Sequence, residues 1–448
     1  MSRPPGPGAP AGSKGLLERW LGLFAEVRPG EGLTAVLLTL NVFLLLTAYY
    51  IIKPVREALI LSEGSAEIKS YASAGQALLL LGAVPLYAAL ASRLPRRLLI
   101  NVVTLFFAAC LGLFFILGNL GVPLGVVFYL WVGIFNLMVV AQFWSFANDL
   151  YTPEAGKRLF AIIGFGASAG AVVGSGAVKE LIQGLGVYPP LLISGGVLLV
   201  ALLITNLVEN RERSATTGGP KAAPPPVAKG DAFKLVLRTP YLFLIALMIL
   251  FLNWVNTTGE YILGRVVSDV ATEAARGGVD KGAFIGAFYA DFFAVVNVAG
   301  LLIQLFLVSR ILKYIGVRNA LLILPVIALG GYAILAFYPL LTAVRWAKTA
   351  ENATDYSLQN TLRGVIFLPT TREEKYKAKQ AIDTFFVRAG DLLSAGLVAF
   401  GTQVVVLGTR GFALFNLGLV VVWLVLAFLI GRRYAAMTAE GTGAKAAA

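Results

Sequence analysis

The chain has 448 residues, of which 58% are apolar and only 14% charged, and its mean hydropathy is +0.79. That balance excludes a soluble globular protein and reads as a polytopic membrane protein. The net charge of +13 would suggest a nucleic-acid partner in a soluble chain; here it sits between apolar runs and is read as topology, with no nucleic acid involved.

Residues 1–30 are rich in Pro, Gly and Ala at the start and read as a disordered cytoplasmic lead-in without a signal peptide. Apolar runs of about 20 residues mark membrane spans. Twelve are expected, near 33–60, 71–91, 98–118, 122–150, 159–180, 188–208, 240–267, 283–308, 317–337, 339–365, 384–407 and 411–431. With both termini in the cytoplasm, 26 Lys and Arg fall in cytoplasmic segments and 6 in external ones. The span ends are soft by several residues, and five more, Lys53, Arg56, Arg345, Lys348 and Arg388, lie well within spans, which accounts for all 37. This bias predicts the orientation.

Span one carries Lys53-Pro54-Val55-Arg56-Glu57 beyond its midpoint. Pro54 removes a helix hydrogen bond and is expected to kink the span. Lys53 and Glu57 are one turn apart and are expected to neutralise each other, leaving Arg56 to seek an anionic ligand or a carboxylate from another helix. Cys110 lies in an apolar run and suits packing; a lone cysteine rules out disulfides within the chain. Span four ends in Phe143-Trp144-Ser145-Phe146-Ala147-Asn148-Asp149, whose aromatics suit an interfacial belt. Span five holds Gly164, Gly166, Gly170, Gly174 and Gly176. No strand precedes them, so the stripe is read as close helix packing rather than a dinucleotide fingerprint.

Residues 209–238 contain Arg211, Arg213, a Gly pair and Pro224-Pro225-Pro226, and read as a basic cytoplasmic linker. It separates an N-terminal half, 31–208, from a C-terminal half, 239–432; residues 433–448 read as a disordered cytoplasmic tail. The halves look like repeats. Ser92-Arg93 recurs as Ser309-Arg310 and Thr152-Pro153-Glu154 as Thr371-Arg372-Glu373, at offsets of 217 and 219 residues. Two six-span halves with a repeat are the major facilitator pattern, in which the site lies near the midplane between the halves.

Span seven carries Asn253, Asn256, Thr257, Thr258 and Glu260. Glu260 is expected to balance a cavity cation, foremost Arg56. From Arg345 to Asp391 the charge density rises again. Arg345, Lys348, Glu351 and Asp355 fall on one helix face, and Lys375, Lys377, Lys379, Asp383, Arg388 and Asp391 follow. Ionisable groups within a bilayer face the bundle interior or a watery cavity. They read either as ion pairs between helices or as a pathway for a charged solute. The absence of histidine leaves any proton coupling to Asp or Glu. No phosphate loop, metal cluster or nucleophile–base pair is present in the sequence, so neither an enzyme nor a cofactor is expected.

Several blocks carry a family resemblance. They are Tyr50 to Glu57, Phe143 to Asp149, Ala155-Gly156-Lys157-Arg158-Leu159-Phe160, and Lys375-Tyr376-Lys377-Ala378-Lys379 through Asp383. From about residue 35 to 430 the chain resembles the ATP/ADP nucleotide transporters of plastids and obligate intracellular bacteria. The resemblance implies an all-α, twelve-span fold distantly related to the major facilitators, and exchange of ATP, ADP or related nucleotides by alternating access. It places Arg56 at a span-one lysine, Asp149 at a span-four acid, and Lys379 or Lys377 at a lysine before span eleven. Asn256 stands where the family has an acid, with Glu260 one turn on. The expected substrate-contacting set is Lys53, Arg56, Asn148, Asp149, Asn256, Glu260, Arg345, Lys348, Lys377, Lys379, Arg388 and Asp391. The family's Arg-Asp-Thr-Lys-Asp block is here Lys-Pro-Val-Arg-Glu, and Asp355 stands where the family tends to have Lys. Those departures keep another anionic or phosphorylated solute open, proton-coupled through Asp149, Glu260 or Asp391. A monomer in a bacterial cytoplasmic membrane is expected.

Overall fold

A backbone in hydrocarbon must satisfy its own hydrogen bonds, and helices are one of two ways to do so. The computed structural model describes residues 27–28, 30–151, 153–215, 232–371 and 374–446, and no strand occurs among them. The lead-in up to residue 26 and the linker core 216–231 lie outside the described residues.

The first half consists of α1 (Gly32–Glu63), α2 (Ala66–Arg93), α3 (Arg96–Asn119), α4 (Gly125–Leu150), α5 (Pro153–Leu185) and α6 (Pro189–Ala215). A short helix, Ala232–Arg238, leads into the second half. That half contains α7 (Pro240–Arg276), α8 (Lys281–Tyr314), α9 (Gly316–Phe337), α10 (341–365), α11 (Lys379–Gln403) and α12 (Thr409–Ala446). All but α10 are long and apolar enough to cross a membrane. Helix α10 falls short because Arg345, Lys348, Glu351 and Asp355 crowd one stretch of it. Helix α12 runs on to Ala446, past residue 432 where the sequence reading ended the half; Ala435, Ala436 and Met437 are good helix formers.

Helix pairings repeat between the halves. The first helix of each half packs on the fifth and sixth, the third on the sixth, and the second on the fourth or its counterpart. The glycine stripe explains the tightest of these contacts. A Cβ on Gly166 or Gly174 would sit 2.5 Å from the carbonyl oxygen of Thr39 or Thr47, and one on Gly170 would overlap that of Phe43. Both rows advance four residues at a time, so α5 lies backbone to backbone on α1. Thr47 closes the seam by donating to the Gly170 carbonyl at 3.3 Å. In the second half Gly390 on α11 meets α7 in the same way, 2.9 Å from the Leu250 carbonyl oxygen.

Two local expectations change. Phe143 and Phe146 are buried in the first half's core rather than set in an interfacial belt, because α4 turns that face toward α1 and α6. Helix α2 starts at Ala66, not 71: Ser65 caps it by accepting from the Ile68 amide at 3.3 Å, and Glu67 lies in its first turn. The earlier start places Lys69 inside the bundle.

Four π-helical segments interrupt the described helices, Ile303–Leu307, Asp355–Gln359, Glu374–Ala378 and Ile382–Phe386, all in the second half. Such segments leave carbonyls loosely bonded and favour functional sites.

Candidate functional site

Among the described residues the halves meet at the end away from the linker. There Tyr261 donates to Glu67 at 2.8 Å and Gln403 to Tyr71 at 3.4 Å. Gly286 of α8 lies against Ile182 and Ala58, where a Cβ would be 2.9 Å from the Ile182 side chain. Beneath this closed end lies a cavity of about 160 Å³, bordered by Lys53, Arg56, Lys69, Asn256, Glu260 and Tyr356.

Its charges form one network. Glu57, 1% exposed, holds the Arg56 guanidinium and the Lys69 ammonium, the latter at 2.7 Å. Arg56 also lies over the Tyr129 ring, 4.7 Å from its centre. Lys69 reaches Glu260 of the other half at 3.9 Å. Glu260 in turn faces Lys348 at 3.7 Å and accepts from Asn352 at 3.0 Å. Lys348 is 1% exposed; it donates to Asn256 Oδ1 at 2.8 Å and pairs with Glu351 at 3.1 Å. Tyr332 donates to Glu351 at 2.9 Å. Gly259 makes room for this cluster, since a Cβ there would overlap the Tyr332 hydroxyl and lie 3.0 Å from Lys348 Nζ.

Lys53 stands apart. It is 8% exposed, and among the described residues no carboxylate lies within 4.0 Å of its ammonium. Aromatic rings surround it instead: Phe293 at 3.9 Å, Tyr50 at 5.1 Å and Tyr356 at 5.8 Å from the ring centres. Cation–π contact recovers only about 0.5–2 kcal/mol, less than a buried carboxylate would. The cluster therefore sets the cations Lys53, Arg56, Lys69 and Lys348 against the carboxylates Glu57, Glu260 and Glu351, with positive charge in excess.

The structure thus reverses the pairing expected from spacing. Arg56 takes Glu57, and Lys53 is the cation left over. The long guanidinium folds back onto its neighbour, and Lys69 arrives from α2 to complete the carboxylate. Glu260 serves Lys348 and Lys69, not Arg56.

Of the residues singled out in the sequence, Lys53, Arg56, Asn256 and Glu260 border the cavity, and Lys348 joins them through its bonds. The others lie elsewhere. Asn148 and Asp149 are exposed at the end of α4, where Asp149 faces Arg96 at 3.4 Å. Arg345 holds Asp291, which also faces Lys179 of α5 at 3.8 Å. Lys377 and Lys379 sit at the linker end, Lys379 6.0 Å from the centre of the Phe367 ring. Arg388 and Asp391 pair at 3.1 Å; Asp391 also accepts from Asn253 at 2.8 Å and Thr257 at 2.9 Å, joining α11 to α7. Lys69, Tyr129, Phe293 and Tyr356 were missed as site residues. The Ser65–Glu67 cap signal was enough to place Lys69 within a helix.

Two repeated six-helix halves thus meet over a central charged cavity. The family profile described as Major Facilitator Superfamily matches residues 33–350, and the chain belongs to that superfamily. Among curated proteins it is similar to "ADP,ATP carrier protein 1" of Chlamydia pneumoniae, 25% identical over 353 residues, which cover 68% of this chain and 66% of that protein. The protein of the same name from Chlamydia muridarum is 25% identical over 352 residues, covering 68% of this chain and 64% of the other. The matched region is thus somewhat under two-thirds of these relatives' length. Among solved structures the fold is similar to the nucleoside transporter NupG, with a TM-score of 0.63 at 13% identity, covering 90% of this chain and 99% of that one. It is also similar to an inward-facing, unoccupied bacterial homologue of the lysosomal transporter Spinster, with a TM-score of 0.60 at 16% identity, covering 92% and 99%.

Proposed function

We propose that this protein exchanges nucleotides of the ATP/ADP kind across a bacterial cytoplasmic membrane by alternating access, with both termini and the linker in the cytoplasm. The observation that carries the reading is the excess of buried cations in the central cavity, above all Lys53, which has no carboxylate within 4.0 Å among the described residues. The likeness to carriers named for ADP and ATP supports the choice of solute. The excess of Lys and Arg in the cytoplasmic segments supports the orientation.

The network suggests how cargo and closure are linked. Lys69 and Glu260 join the two halves near the closed end. A phosphate chain offers several acceptor oxygens: it takes up Lys53 directly and competes with Glu57 for Arg56 and with Glu57 and Glu260 for Lys69. Loosening Lys69 from Glu260 lets the halves part there and open the other face. An empty cavity keeps unbalanced cations, which makes its passage through the closed state costly, so exchange is favoured over one-way flow.

Counterflow tests the solute. Proteoliposomes preloaded with unlabelled ADP are expected to accumulate labelled ATP, and unloaded ones are not. Accumulation driven only by a phosphorylated solute without a nucleoside, or by a proton gradient, would assign the cavity to another anion. Cysteine labelling tests the orientation. In a Cys110→Ala background, an impermeant reagent outside the cell is expected to reach Gly277→Cys and miss Ser92→Cys.

A further inference from the structure

A second cavity, of about 230 Å³, lies on the linker side of the charged one. Its position follows from the chain. It takes Leu46 and Tyr50 of α1 where the charged cavity takes Lys53 and Arg56, and Val296 to Gln304 of α8 where the charged cavity takes Phe293. Tyr356 borders both.

Its lining has no charged side chain. The polar groups are Tyr50, Ser168, Asn297, Gln304 and Tyr356, set among Leu46, Val296 and Leu301. Asn297 spends its amide hydrogens on the Ala171 carbonyl at 3.2 Å and Ser175 at 3.3 Å. Gln304 and Tyr356 both belong to π-helical segments, Ile303–Leu307 and Asp355–Gln359. Lys53 lies at the boundary, with its ammonium against the rings of Tyr50 and Tyr356 that also border the second cavity.

We infer that the second cavity is a subsite for the uncharged, ring-bearing end of the cargo, so that the solute lies along the bundle axis with its anionic end toward the closed end. The chemistry follows from the lining. Tyr50 and Tyr356 offer flat apolar faces, Ser168 and Gln304 offer neutral donors and acceptors, and Asn297 offers its Oδ1 as an acceptor, which suits a heteroaromatic base and not a phosphate. Lys53 holds the first phosphate at the junction. On binding, the ammonium exchanges part of its ring cage for phosphate oxygens, and the tyrosine faces become available to the base. This inference rests on the nucleotide reading and assigns the parts of the nucleotide to places.

Isothermal titration of the full chain in nanodiscs tests it, with ATP and inorganic tripolyphosphate as the two probes. The wild type is expected to bind ATP more tightly than tripolyphosphate. Ser168→Leu fills the second cavity and is expected to weaken ATP by about tenfold or more while leaving tripolyphosphate within about twofold. Gln304→Ala, at an exposed position, provides the same comparison should Ser168→Leu fold poorly; it is expected to weaken ATP severalfold and spare tripolyphosphate. Equal weakening of both probes, or none, would overturn the subsite while leaving nucleotide binding intact. A wild type that binds tripolyphosphate as tightly as ATP would also overturn it. A wild type that binds tripolyphosphate and not ATP would instead fail the nucleotide reading itself.

Discussion

The two halves share a plan and divide the chemistry. Helices α1 and α7 hold equivalent places, each clamped by the fifth helix of its half through a glycine contact. Yet α1 brings Lys53, Arg56 and Glu57 to the cavity, while α7 brings Asn256 and Glu260. The first half is built from uninterrupted α-helix among its described residues, and the second carries all four π-helical segments. The shared scaffold thus carries unequal charge: the first half brings Lys53, Arg56 and Lys69 with one carboxylate, Glu57, and the second brings Lys348 with two, Glu260 and Glu351.

The comparison breaks most readily at Glu57. Glu57→Gln leaves Arg56 and Lys69 without their shared carboxylate in a site that already holds excess positive charge. A loss of about 3–5 kcal/mol is expected, read as a large fall in the melting temperature of the detergent-solubilised protein, with saturating ATP restoring part of it. An unchanged melting temperature would show that the first half's cluster is not the buried unit described.

Next in size is Gly259→Ala. The added methyl overlaps the Tyr332 hydroxyl and crowds Lys348, so about 1–3 kcal/mol of overpacking is expected, together with loss of exchange. Glu260→Gln is expected to destabilise less than Glu57→Gln, because the Glu260 side chain is 25% exposed to the cavity. Its transport defect is nonetheless expected to be severe, since Lys69 and Lys348 then keep only Glu57 and Glu351 and lose the carboxylate that links them across the halves. The smallest effect belongs to Asp149→Asn. That carboxylate is 54% exposed and faces an arginine 36% exposed, so a change under about 1 kcal/mol and near-normal exchange are expected. A severe exchange defect in a stable Asp149→Asn protein would move the site toward the span-four acid that the family resemblance pointed to.

What the sequence made legible follows from the range of each signal. Apolar run length is borne out for eleven of the helices, α10 falling short on charge, and the repeated loops pointed to the two halves, because both signals are local or periodic. The glycine stripe reads as packing, and Gly166, Gly170 and Gly174 bear that out with the four-residue spacing of a helix face, whereas a Cβ on Gly164 or Gly176 would meet nothing within 4 Å. The charges inside spans were rightly drawn to the interior, but their partners were not. The i,i+4 rule joined Lys53 to Glu57, whereas the structure joins Glu57 to its neighbour Arg56 and to Lys69 from another helix. Partnerships across helices leave no trace in spacing. Asp149, Lys377 and Lys379 failed as cavity residues for a related reason: motif resemblance marks positions in a chain, and here those positions fall at helix ends and in the linker-side segments.

The most direct test of the central claim, that an uncompensated cation in the cavity holds phosphorylated cargo, is counterflow of labelled ATP into ADP-loaded proteoliposomes carrying wild type or Lys53→Met. Methionine keeps an unbranched, apolar stem among the same rings, so the fold is expected to survive with unchanged or higher thermal stability. The wild type is expected to show counterflow, and Lys53→Met to lose at least about tenfold of the rate. Wild-type rates in Lys53→Met, or no counterflow by a well-folded wild type, would contradict the account.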